Sequence, residues 1–124
     1  SVEDRKENIR RIAEAAKLFL ECGVVCLCSF VSPTREIRAM AKEIVGQEDF
    51  LEVFVNAPLE VCEERDVKGL YKKARAGEIK NFTGIDSPYE NPLEPFMELK
   101  TDQESLESST HKLLEALLPK VSRS

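Results

Sequence analysis

No apolar run in the 124 residues approaches the ~20 that a membrane-crossing helix needs, and no basic-then-apolar leader opens the chain. A soluble, cytoplasmic protein is therefore expected. The four cysteines, Cys22, Cys26, Cys28 and Cys62, form no CxxC pair, and the single histidine, His111, stands far along the chain. Cys26 and Cys28 would share one face of a strand, a poor start for a tetrahedral zinc site. Reduced core cysteines, a surface His111 and no protein metal site are expected. Positive charge is also in deficit: the formal net charge is −5 and the pI about 5.0, which disfavours non-specific nucleic-acid binding. Finally, the pattern GxxxxGK[ST] is absent, so none of these residues forms a phosphate loop of that type.

What is present fits one ordinary domain, with 42% hydrophobic and 33% charged residues. Ser1 and Asp4 have the spacing of a capping box, and Ile9, Ile12, Ala13, Ala16, Phe19 and Leu20 recur with helical period until Gly23. VVCLCSF (24–30) is a continuous apolar run, the pattern of a parallel strand covered on both faces. Ser32-Pro33 offers an N-cap and a first-turn proline for a helix that buries Ile37, Met40, Ala41 and Ile44 and stops at Gly46. LEVFV (51–55) reads as a strand, and Pro58 opens a short helix through Arg65. SPYENPLEP is an extended connection, and FMELK (96–100) a weaker strand. The segment 105–118 reads as an amphipathic helix with Leu106, Leu113, Leu114, Leu117 and Leu118 on or near its buried side, followed by Pro119. The alternation predicts an α/β domain with a parallel sheet, whose strand ends, at 29–34, 56–58 and 101–102, gather the ligand site at one edge.

The segment 65–86, RDVKGLYKKARAGEIKNFTGID, stands out against the acidic remainder. Arg65, Lys68, Lys72, Lys73, Arg75 and Lys80 face only Asp66, Glu78 and Asp86, and Gly69, Gly77 and Gly84 punctuate the run. Cationic groups on short helical pieces with glycine joints suit a flap that closes over phosphates. A solvated, lysine-rich surface helix explains the charge equally well.

KGLYKKARAGEIKNFTGIDSPYE resembles the lid of adenylyl-sulfate kinases, which phosphorylate the ribose 3′-hydroxyl of adenosine 5′-phosphosulfate (APS) to give PAPS. EDRKENIRRIAEAAKLF, CSFVSP and EVFVNAPLEVCEERD resemble further blocks of that family in the family's order, from Ser1 to about Leu118. The resemblance implies a P-loop-kinase-like three-layer fold, a parallel sheet flanked by helices with a basic lid at 65–86. Residues 1–124 would be the C-terminal part of a single kinase-like domain. The phosphate loop, the DGDN-type segment and the N-terminal strands of such a domain would precede Ser1.

The same resemblance assigns residues. Arg5, Asn8, Val31, Ser32, Lys68, Asn81 and Phe82 would contact APS, and Ser32 would also be the catalytic-site residue. Arg5 suits the phosphosulfate because a guanidinium donates in a planar fork. Phe82 suits stacking on adenine, or alternatively anchoring the closed flap. Asn81 stands where the family more often has glycine, so its contact would run through the backbone. Arg65 would pack on the ATP adenine, Lys72 and Arg75 would reach the ATP phosphates, and Thr101 and Asp102 would border the adenine pocket. ATP with Mg²⁺ is the implied co-substrate. A homodimer and a fused or associated ATP sulfurylase are the implied partners, with neither nucleic acid nor membrane. A non-catalytic APS-binding or regulatory homologue is the alternative reading.

Overall fold

The computed structural model describes residues 1–121 and comprises, in order, α1 (Val2–Glu21), α2 (Arg35–Val45), β1 (Val53–Asn56), α3 (Leu59–Arg65), α4 (Leu70–Arg75), β2 (Met97–Lys100) and α5 (Leu106–Val121). The capping box forms: Ser1 Oγ accepts from the Asp4 amide at 3.2 Å, and the Asp4 carboxylate reaches back to Ser1. This satisfies donors that the first helical turn otherwise leaves unpaired. Ile9 and Ala13 of α1 meet Ile37 and Ala41 of α2 in the buried cluster, flanked by Ile12, Met40, Ile44, Val45 and Phe50. The helical period thus supplies the α1–α2 interface directly.

β1 and β2 pair in parallel, Val53 opposite Met97 through Asn56 opposite Lys100. The ladder runs one bond further, from the Thr101 amide to the Asn56 carbonyl at 3.0 Å. Both strands therefore end at the same edge, from which α3 and the basic segment leave. Phe54 and Leu99 are the buried members of the pair. Among the described residues no helix is long and apolar enough to cross a membrane.

Several expectations need correction. Residues 24–30 form no strand; Val25, Leu27 and Phe30 are 55%, 79% and 54% exposed. A strand exists only through a ladder, and among the described residues no strand lies beside this run. The N-cap of α2 is Thr34, not Ser32: the Thr34 hydroxyl accepts from the Ile37 amide at 3.2 Å while Thr34 keeps an extended backbone. Pro33 consequently precedes the cap, and Ser32 lies two residues before it.

Pro119 falls inside α5 rather than after it. Fixed φ is compatible with helix, and only one hydrogen bond is forfeited near the end. The apolar side of α5 is covered only in part, because the helix packs on the small sheet: Leu113 and Leu117 are half-buried, whereas Leu106, Leu114 and Leu118 are exposed. Cys22 and Cys28 are exposed, so the cysteines are not core residues as a group; all four are free thiols. His111 is exposed and faces Glu115 one turn on at 2.9 Å.

Candidate active site

The basic segment is held at both ends by carboxylates. At its start, Asp66 accepts from the amides of Tyr71 at 2.9 Å and Lys72 at 3.1 Å, capping α4 from outside the helix. Gly69 takes the left-handed conformation (φ 68°) that the turn into α4 requires. At the far end, Asp86 accepts from the amides of Asn81 and Phe82 at 2.8 and 2.5 Å. Those two backbone donors hold the Asp86 carboxyl below its ordinary range. Asn81 itself sits at φ 56°, a left-handed position that asparagine adopts more readily than most residues.

Arg5 joins this turn to the first helix. Its guanidinium donates to Thr83 Oγ1 at 2.8 Å and to the Asn81 carbonyl at 2.5 Å. Asn8 is exposed one turn further along α1, and both residues line a shallow depression of about 470 Å³ with Ser1, Asp4, Glu7 and Arg11. Glu7 on that wall accepts from Arg10 and Arg11, which lower its carboxyl pKa to about 2. Arg5, Asn8 and Asn81, scattered over the sequence, thus border one region.

Phe82 packs edge-on against Tyr71, with ring centroids 5.0 Å apart. Burial pushes the Tyr71 hydroxyl pKa up. The Lys68 and Lys72 side chains are exposed, and among the described residues neither ammonium group makes a hydrogen bond or ion pair. Arg75 is engaged: it grips Glu63 of α3 through Nε at 2.6 Å and Nη2 at 3.2 Å, and lowers the Glu63 pKa. That bidentate pair ties α4 to α3, while the Arg75 side chain stays 57% exposed.

On the other side of α3, Arg65 donates to Thr101 Oγ1 at 3.1 Å and to the Thr101 carbonyl at 2.8 Å. Two residues assigned to one pocket from separate parts of the chain therefore touch, beside the common end of β1 and β2, with Asp102 next in sequence. Val31 is 64% exposed and Ser32 partly covered, in the loop that leads into α2. The Ser32 carbonyl accepts from Arg38. Sequence reasoning missed Arg38, Glu63 and Asp66 as organisers of these loops. The signal available for Asp66 was its place just ahead of a glycine-started helix.

Asp86 predicts a separable effect. Asp86→Ala is expected to speed amide exchange at 81–85 severalfold and to shift the melting of the α1–α2 core by less than about 2 °C, because a surface contact carries little global stability. The depressed Asp86 pKa sets the sign with pH. Its contribution is full above the unfolded carboxylate value and is lost as pH falls through the lowered folded value. Hydrogen exchange followed by mass spectrometry checks the variant, and equal protection at 81–85 in variant and wild type would refute it.

Comparison with known proteins agrees with the geometry. The family model for adenylylsulphate kinase matches residues 1–100. The chain is 58% identical over 120 residues to the adenylyl-sulfate kinase of Bacteroides thetaiotaomicron, covering 97% of this chain and 60% of that protein. It is 60% identical over 115 residues to the adenylyl-sulfate kinase of Halothermothrix orenii, covering 93% of this chain and 61% of that protein. The chain thus spans about three fifths of the length of these curated relatives. Among solved structures, the Mycobacterium tuberculosis APS kinase in complex with AMPPNP and APS superposes with a TM-score of 0.87 at 45% identity. That match covers 94% of this chain and 68% of the other. The parallel sheet flanked by helices is accordingly the fold of that kinase.

Proposed function

The chain belongs to the adenylyl-sulfate kinase family, and from that premise we propose that it serves transfer of the γ-phosphoryl group of ATP to the 3′-hydroxyl of APS, giving PAPS and ADP. One observation carries the reading: Arg5 of α1 grips Asn81 and Thr83 across 76 and 78 residues of sequence. A fork donor, an adjacent Asn8 and an aromatic-anchored flap then share one wall, which suits a nucleotide bearing a dianionic tail.

In this reading residues 1–124 are one kinase-like domain with the lid at 65–86. Arg5, Asn8, Val31, Ser32, Lys68, Asn81 and Phe82 form the acceptor side. Arg65, Lys72, Arg75, Thr101 and Asp102 form the ATP side, with Arg75 exchanging Glu63 for phosphate oxygens as ATP binds. Ser32 lines the acceptor site. Phosphoryl transfer depends on positioning and charge stabilisation, so a wall of donors and a closing basic flap contribute without an acid or base of their own. Mg²⁺ would arrive with ATP as part of the co-substrate. The reading extends to a cytoplasmic homodimer, with ATP sulfurylase as an associated or fused activity.

The test is direct. The full-length protein, given APS and γ-labelled ATP, is expected to form labelled PAPS and to form none when APS is omitted. APS binding without transfer would favour the non-catalytic, regulatory homologue instead, and failure to bind APS would end both readings.

A further inference from the structure

Arg38 is a charged side chain only 7% exposed, and nothing in the reaction as described above uses it. Its guanidinium donates through Nη1 to the Ser32 carbonyl and through Nη2 to the Glu90 carbonyl. Nε lies 3.5 Å from Glu52 Oε2, and the Tyr89 ring lies against the cation with its centroid 5.5 Å from Cζ. Tyr89 in turn stacks on buried Phe54 of β1 at 6.1 Å. Around this centre the two loops are laced together directly. The Glu90 amide donates to the Pro33 carbonyl at 2.8 Å, Glu90 Oε1 accepts from the Arg35 amide at 2.8 Å, and Arg35 Nε donates to the Asn91 carbonyl at 2.9 Å.

We propose that Arg38 is a positioning residue that clasps the 31–33 loop to the 87–91 segment, and so fixes the far end of the basic flap against the acceptor pocket. The chemistry demands arginine. Two carbonyls, a carboxylate and a ring face must be met at once by one buried cation, and only a planar fork presents donors in those directions. Burial of the charge is tolerable because its polar neighbours replace water. The consequence reaches the site because Asp86, which shapes the 81–86 turn, lies immediately before the clasped segment. The loop on the other side of the clasp carries Val31 and Ser32. This inference rests on the proposed acceptor role of that loop for its kinetic part, but not for its structural part.

Arg38→Lys in the full-length protein keeps the charge and loses the fork. The Glu90 and Arg35 amides are expected to exchange roughly tenfold faster, as a broken clasp requires. KM for APS should rise roughly tenfold with KM for ATP within about twofold, because only one pocket is built on these loops. Unchanged exchange at both amides in the folded variant, or the two KM values moving together, overturns the proposal. Glu52→Gln is the milder companion should lysine prevent folding: it leaves the fork and weakens its anchor, so the same amides should exchange a few-fold faster, and no change there overturns the clasp. A wild-type protein that made no PAPS would refute the function reading alone, since the exchange comparison decides the clasp without any turnover.

Discussion

Arg5→Ala in the full-length protein is expected to weaken APS binding by roughly 100-fold, about 3 kcal/mol, at the upper end for hydrogen bonds to a charged group. The argument has two parts. The guanidinium would face the phosphosulfate, and it also bonds Thr83 Oγ1 and the Asn81 carbonyl, so its loss removes a ligand contact and loosens the turn that completes the pocket. Arg5→Lys should recover only a minor share, since one ammonium cannot serve a side-chain hydroxyl, a carbonyl and an oxyanion in fixed directions. Calorimetric titration with APS measures the change, and circular dichroism should show the helices of both variants intact. An APS affinity within about threefold of wild type would remove Arg5 from the acceptor site.

Ile37→Ala should produce the largest loss of stability, about 3 kcal/mol, within the range for truncating a buried isoleucine. Ile37 is 2% exposed and is the most enclosed large side chain of the α1–α2 interface, where Ile9, Ala13 and Ala41 surround it. Removing three carbons there leaves a cavity that helices pinned by the capping box and by Thr34 cannot easily close. The melting temperature should fall by roughly 10 °C for a domain of this order of size. Thermal denaturation of the full-length protein checks it, and a shift under about 2 °C would mean that α1 and α2 slide together to fill the gap. The effect should appear in stability, with KM values little altered once the protein is folded. That contrast with Arg5→Ala separates the scaffold from the site.

Arg75 and Glu63 illustrate how a candidate site residue can be legible while its state is not. The composition of the 65–86 segment announces an excess of cations, and arginine is a sound expectation for phosphate. Whether that arginine is free depends on the distance to a carboxylate on another helix, here 2.6 Å, which no local pattern encodes. The strand expected at 24–30 shows the converse. Seven consecutive apolar or small residues are a valid local signal, yet strand formation needs a neighbouring backbone, and the only ladder among the described residues joins β1 to β2.

From the sequence by itself came the capped first helix, the α1–α2 face, the two paired strands, the basic segment with its glycine joints, and the family. All of these are written in short-range spacing, in composition, or in blocks of residue order. Tertiary structure alone decided that Thr34 and not Ser32 caps α2, that Arg5 meets Asn81 and Thr83, that Arg65 meets Thr101, and that Arg38 spans Ser32 and Glu90. The physical reason is common to the three arginine contacts. A guanidinium sits at the end of a long, flexible stem, and its partners are carbonyls and hydroxyls available everywhere along a chain. Only the packed fold, by bringing distant backbone to within hydrogen-bonding reach, selects one set of them.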